Sequence, residues 1–408
     1  MTAAPPKTRR RLLGVLFAGS ALARTAFIAT ITVTSLVAED LLGAATLSGL
    51  PAAATTIGVA MGTTPIAALM ASRGRRTGIS TGLTVAAAGA LLAAVATVAG
   101  SFPLFVVGLL AFGFGNAGDR LSRYAAADVS PPERRSFSIS LVVWAGTIGS
   151  VLGPLLLQPM EAFAEGLGVE GLAGAPLLGA GLVAAAAALA FFGLRPDPLT
   201  FADGHQRKRR RLAEVRPLLA QPRIRYAVIA LMVGQVVMVL IMTMTPIHIR
   251  RGGEDLGIVG LVIGAHTLGM FAVSPLTGVL ADRVGRVTVM VAGQAILVVS
   301  ALMASSAGGA ETGLLVVALF LLGLGWNFGF VAGSAYLTEG APAGMAVPLQ
   351  GLADTLVWTS GAAASLSSGL LLEASGYSSL SLLGAAIVVL PVAVLGRYRR
   401  ALWEPAPA

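Results

Sequence analysis

Twelve stretches of about 20 or more mainly apolar residues follow one another along this chain, each long enough to cross the hydrocarbon of a bilayer as a helix. They fall at 12–38, 43–71, 77–99, 102–123, 136–158 and 175–195, then at 224–248, 257–281, 287–307, 313–338, 348–372 and 379–397. Charged residues make up 12% of the 408 positions, about half of what a wetted globular surface carries. The spacing therefore predicts an all-α membrane protein rather than a soluble domain.

The basic residues test this partition, because Lys and Arg collect in cytoplasmic loops. With the N-terminus inside, the inner loops hold Lys7 and Arg9–Arg11, Arg73, Arg75 and Arg76, Arg120 and Arg123, Arg134 and Arg135, and Arg195. The 207–225 cluster, Arg283 and Arg286, and Arg397, Arg399 and Arg400 fall on the same side. Only Arg24, within a span, and Arg250 and Arg251, on the opposite side, stand elsewhere. Both termini are thus expected to be cytoplasmic, in a cell inner (plasma) membrane. Lys7–Arg11 followed by Ala21-Leu22-Ala23 imitates a cleavable leader. Its apolar run, however, resumes after Arg24 and reaches Ala38, so it reads as the first span.

A net charge of +9 would suggest a nucleic-acid binder in a soluble protein, but here the basic residues orient helices, and no nucleic-acid partner is expected. With no cysteine and three scattered histidines, at 205, 248 and 266, neither a metal site nor a cofactor is anticipated. No P-loop, H-E-x-x-H or serine–histidine–aspartate grouping supports an enzyme, although a membrane-embedded enzyme is the alternative from another class.

The one long polar stretch divides the chain into an N-terminal six-helix half (1–198), a cytoplasmic linker (199–223) and a C-terminal six-helix half (224–408). The halves echo each other at an offset of about 210 residues. Pro65 to Arg76 parallels Pro275 to Arg286, and Gly113-Phe114-Gly115-Asn116 parallels Gly323-Leu324-Gly325-Trp326-Asn327. Such a duplicated unit marks transporters whose halves move around a central site. The fold class is twelve transmembrane helices in two pseudo-symmetric halves. Gly113-x-Gly115-x-x-Gly118 also imitates a dinucleotide fingerprint, but that motif needs a strand before it, and close helix packing accounts for it here.

At these residues the chain resembles the major facilitator superfamily. Gly278, Asp282, Arg283, Gly285 and Arg286 stand in a full copy of that family's G-x-L-a-D-R-x-G-R loop between helices 8 and 9. The first copy is degraded, with Ala71 or Ser72 where the aspartate belongs. Gly149, Gly153 and Pro154 resemble the helix 5 signature of bacterial drug and metabolite antiporters. Residues 123–135, with Arg123 and Asp128, resemble the family's helix 4–5 loop. The resemblance implies alternating access, a cavity lined by helices 1, 4, 7 and 10, and a cytoplasmic gate including Asp119, Arg120, Arg123, Asp128, Gly278, Asp282, Arg283, Gly285 and Arg286. Two departures stand out: helix 4 lacks a mid-span arginine, and helix 1 lacks an acidic residue.

Ionisable groups inside a span cost at least about 2.5 kcal/mol and therefore mark function. Arg24, about 20 Å along its span at 1.5 Å per residue, is a candidate anion ligand. His266 and Asp354 are candidate proton carriers. Asn116, Gln235, Trp326 and Asn327 are candidate cavity-lining groups. Asp119 is expected to pair with Arg120, Arg123 or a basic loop residue at the gate. The leading expectation is a monomeric, proton-coupled exporter of a small amphipathic drug or metabolite. The alternative is a uniporter or proton-coupled importer of a small organic anion held by Arg24.

Overall fold

A computed structural model describes residues 4–42, 50–202, 212–254, 256–342, 344–398 and 402. Among them, fifteen α-helices run in the order α1 (Pro6–Leu42), α2 (Leu50–Arg73), α3 (Arg75–Val98), α4 (Phe102–Asp128), α5 (Arg135–Leu155), α6 (Leu157–Gly166), α7 (Gly174–Gly193), α8 (Leu212–Val215), α9 (Pro222–Arg251), α10 (Leu256–Phe271), α11 (Ser274–Val284), α12 (Arg286–Ser306), α13 (Thr312–Gly340), α14 (Ala346–Ile387) and α15 (Val389–Arg397). Among the described residues, eleven helical spans are long and apolar enough to cross a membrane. The last of them contains Gly376 at φ 79°, ψ 169°, a non-helical residue at which it divides into two. The basic 207–211 run lies outside the described residues.

Two differences from the sequence reading have physical causes. The eighth span is not one helix: α10 ends at Phe271 and α11 begins at Ser274. Pro275 opens α11, and a proline disfavours helical backbone in the residue before it. Asn327 holds this break to α13, its Nδ2 donating to the Met270 carbonyl at 2.6 Å and to Ser274 Oγ at 2.5 Å, while its Oδ1 accepts from Thr277 Oγ1 at 2.6 Å. The second difference is α6, a separate short helix after α5.

The outer surface is apolar. Leu370, Phe192 and Leu366 are 76%, 69% and 68% exposed, a surface that a bilayer covers and water does not. Lipid gives helices no hydrophobic reason to associate, so small residues bring backbones together instead. The α3–α4 pair shows this: a Cβ on Gly82 would stand 2.9 Å from the Gly115 carbonyl oxygen and 3.1 Å from Gly118 Cα. The glycines that imitate a nucleotide fingerprint are therefore packing residues.

The chain forms two compact units. The first comprises Met1–Pro131, Ala145–Leu212 and Ala343–Thr355, and the second comprises Pro132–Trp144, Ala213–Pro342 and Leu356–Ala408. The opening turns of α5 thus belong with the second unit, and those of α14 with the first.

Candidate functional site

In the first unit, α1 and α4 bring opposite charges together inside the apolar interior. Arg24 Nε lies 3.3 Å from Asp119 Oδ2, with the two side chains 7% and 3% exposed. Ser20, one turn before Arg24, donates to Asp119 Oδ1 at 2.5 Å and stands 3.1 Å from Ser122 Oγ. Asp119 therefore faces α1 and pairs with Arg24, a partner the sequence did not suggest, while the expected partner Arg120 lies within electrostatic reach. Depth counted along each span placed Arg24 and Asp119 at different levels, yet the crossing of α1 and α4 brings them level. Arg120 stacks over Phe27 at 4.9 Å from the ring centre and is within electrostatic reach of Arg24, Asp119, Arg123 and Asp354.

The helix 5 glycines support this pair from behind. A Cβ on Gly149 would stand 2.8 Å from the Arg24 carbonyl carbon, and one on Gly153 would stand 2.8 Å from Ile28 Cγ2. The backbone of Pro154 continues α5.

A second buried cluster joins α4 to the opening of α14. Arg123 Nη2 and Tyr124 Oη both donate to Asp354 Oδ1, at 2.7 and 3.0 Å, and Asp354 is 1% exposed. Beside it Arg75 is fully buried, with Nε donating to Asp128 Oδ2 at 2.7 Å and Nη2 to Gln350 Oε1 at 2.7 Å. The sequence reading treated Arg75 as a loop cation and passed over Tyr124, Gln350 and Ser20. The signal for Arg75 was present, since it occupies the place of Arg286 in the repeat. Asn116 is buried, and its Nδ2 donates to the Phe112 carbonyl within α4.

In the second unit, Asp282 receives the Ser136 N–H at 3.1 Å and the Phe137 N–H at 2.9 Å. It thereby places a carboxylate at the positive end of the α5 dipole. Arg286 reaches Glu339 at 2.8 Å and the Pro132 carbonyl at 2.5 Å, whereas Arg283 is exposed. Gly285, at φ 95°, turns the chain as only glycine does readily. Gly278 lets α11 cross α5, since a Cβ there would stand 2.7 Å from Phe137 Cα. Trp326 Nε1 donates to Gln235 Oε1 at 2.9 Å, and the indole stacks on Phe330 at 4.4 Å and meets Phe271 edge-on at 6.1 Å. His266 is 1% exposed, with Nδ1 3.0 Å from the Leu319 carbonyl, so it joins α10 to α13. The two candidate proton carriers, Asp354 and His266, are thus both engaged in helix-to-helix contacts, as is the gate candidate Asp119.

Known proteins give this architecture a family. Residues 15–364 match the Major Facilitator Superfamily profile. The MFS-type transporter YdeG of Bacillus subtilis is 37% identical over 392 residues, covering 94% of this chain and 90% of YdeG. The riboflavin transporter RfnT of Brucella anthropi is 30% identical over 382 residues, covering 93% of this chain and 94% of RfnT. Among solved structures, the human organic anion transporter MFSD10 superposes with a TM-score of 0.75 at 18% identity, over 96% of this chain and 100% of that one, a likeness of fold. With the duplicated loops, the paired glycines and the charged helix crossings in one chain, the protein belongs to the major facilitator superfamily.

Proposed function

We propose that this transporter carries a small organic anion together with a proton, using Arg24 and Asp119 as the coupled pair. The carrying observation is their buried contact at 3.3 Å. The surroundings add to it: Arg120 lies within electrostatic reach of Arg24, Arg123, Asp119 and Asp354, a set of three guanidiniums and two carboxylates whose positive balance suits an anion. An anion that draws Arg24 away leaves Asp119 without its counter-charge, so a proton becomes the better partner. Binding free energies are reciprocal, so anion and proton favour each other's binding, which is the logic of symport. A cationic substrate would meet repulsion from the same guanidiniums. The Lys and Arg distribution supports cytoplasmic termini, and an outward-acid gradient would then drive uptake.

In the second unit, the Phe271–Trp326–Phe330 cluster with Gln235 at the indole N–H is the aromatic set that a planar solute would match on entering between the helices. The riboflavin relative makes riboflavin the first planar solute to test. Export by proton antiport remains a second reading, favoured by the antiporter-like Gly149 and Gly153 packed on α1.

The experiment is uptake into proteoliposomes under an acid-outside gradient, with aromatic and aliphatic carboxylates, riboflavin and lipophilic cations. Anion uptake that dissipates the gradient and is lost in Asp119→Asn supports the proposal. Cation-dependent proton movement in the opposite direction would replace it with the export reading.

A further inference from the structure

A narrow crevice reaches Asp119 from the side of the first unit. It runs between α1, α3, α4 and α7, with Gly19, Ser20, Leu83, Asp119, Ser122 and Leu194 on its walls. Its polar groups are the Asp119 carboxylate and the two serine hydroxyls, all buried. It offers about 10 Å³ to the centre of a water molecule, the volume that one water needs, and these oxygens supply the two to four partners such a water requires. Arg24 is not among the walls, although it lies one helical turn beyond Ser20 and contacts the other carboxylate oxygen. Asp119 therefore gives Oδ2 to the guanidinium and Oδ1 to the hydroxyl of Ser20, itself a wall of the crevice.

The crevice lies toward the N-terminal end of α1 and the C-terminal end of α7. Leu194 follows α7 directly, and the next residue, Arg195, accepts a hydrogen bond at its carbonyl from Arg11. On the positive-inside reading this end is cytoplasmic. The charged groups around Asp119 are Arg24 on α1 and Arg120 and Arg123 on α4, whereas α3 and α7 contribute only apolar walls.

We propose that this crevice is a water-mediated proton path serving Asp119 through the first unit itself, separate from the path of the substrate. The inference rests on the coupling role of Asp119 given above. When the anion has left and Arg24 returns, the Asp119 carboxylic acid hands its proton to a water in the crevice, which departs to the cytoplasm as hydronium and leaves the carboxylate to the guanidinium. Arg24 gates the path without blocking it. While the guanidinium holds the carboxylate, the proton has no vacant partner; once an anion takes Arg24, the proton stays. Ser20 and Ser122, whose hydroxyls donate to Asp119 Oδ1 and to the Asp119 carbonyl, align the water by accepting from it.

The test uses the full chain in lipid vesicles and infrared spectroscopy of carboxylic acid bands, with the Asp119 band identified by its loss in Asp119→Asn. Gly19 lines the crevice, and a Cβ there meets nothing within 4 Å, so Gly19→Val fills the space without a backbone clash. After transfer to D2O, hydrogen–deuterium exchange of the Asp119 band is expected to slow about tenfold or more in Gly19→Val. Gly19→Ala should give an intermediate rate, and it carries the test if the valine variant does not fold. Exchange as fast as wild type in both variants overturns the path and leaves the coupling role standing. If no titrating band disappears in Asp119→Asn, the coupling role falls and the path falls with it.

Discussion

Gly149 rests on the backbone of Arg24: a Cβ at Gly149 would stand 2.8 Å from the Arg24 carbonyl carbon and 2.9 Å from its Cβ. Backbone cannot rotate aside as a flexible side chain can, so Gly149→Ala must displace α1 at the charged pair. Gly153 meets mainly the Ile28 side chain, which has more freedom to adjust. Misplacement of a working group by about 1 Å can cost about a hundredfold. Transport in reconstituted vesicles should therefore fall about tenfold or more in Gly149→Ala and clearly less in Gly153→Ala, with similar melting temperatures. An equal loss in both variants would mean that the glycines act on packing alone.

Removing either member of the Arg24–Asp119 pair leaves a buried charge short of its partner, which typically costs about 3 kcal/mol or more, whereas removing both is far milder. Asp119→Asn and Arg24→Gln should each lower the melting temperature, and the double variant should recover most of that loss. Transport driven by a proton gradient should stay absent in the double variant. Recovery of gradient-driven transport there would show that the pair is structural and that coupling lies elsewhere.

Arg123 and Tyr124 converge on one oxygen of Asp354, which predicts a graded series. Asp354→Asn strips the Arg123 charge of its carboxylate and should cost about 3 kcal/mol. Arg123→Lys keeps the charge but loses the planar fork and should cost less. Tyr124→Phe removes one hydrogen bond, worth about 1 kcal/mol. Thermal melting of the three purified variants checks the order, and a Tyr124→Phe loss equal to that of Asp354→Asn would contradict it.

The spans were legible because they depend on composition over many residues. Asp282, Gly285 and Arg286 were legible because a turn and a charged loop need particular residue types. Arg75 was legible only through its place in the repeat, since in an Arg73-Gly74-Arg75-Arg76 run nothing local separates a buried arginine from a solvated one. Asp128 and Gln350 make the difference, and both come from distant segments. The Arg24–Asp119 contact was hidden for a related reason: depth along each helix says nothing about where two helices cross. The pair still answers the two departures noted in the sequence, because the charge missing from each helix is present on the other. The break before α11 had its signal in Pro275, which a continuous apolar run masked.

The two loop copies differ in a way that predicts a coupled pair of substitutions. Gly74 and Gly285 both turn at positive φ, 101° and 95°. The arginines that follow, Arg75 and Arg286, reach Asp128 and Glu339 at 2.7 and 2.8 Å. Where Asp282 stands in this register, the first copy has Ala71, which is 6% exposed. In the first unit α2 runs beside α14: Thr64 Oγ1 is 2.7 Å from Thr355 Oγ1, and a Cβ on Gly351 would press on Ala67. Continuing that pairing brings position 71 beside Val347, at the start of α14. An aspartate at 71 would thus meet the amide end of a helix, as Asp282 does. Asp282, however, has two N–H donors, and in the same register Pro348 replaces the second, which removes a donor. Ala71→Asp alone should therefore destabilise the protein, because a buried carboxylate finds too few partners. Adding Pro348→Ala should recover that loss, with a favourable coupling of about 1 kcal/mol. Asp282→Asn should destabilise by about 1–2 kcal/mol and slow transport without abolishing substrate binding. Melting of the two single variants and the double variant measures the coupling directly. Additive effects at positions 71 and 348 would mean that the start of α14 does not serve the first loop as the start of α5 serves the second.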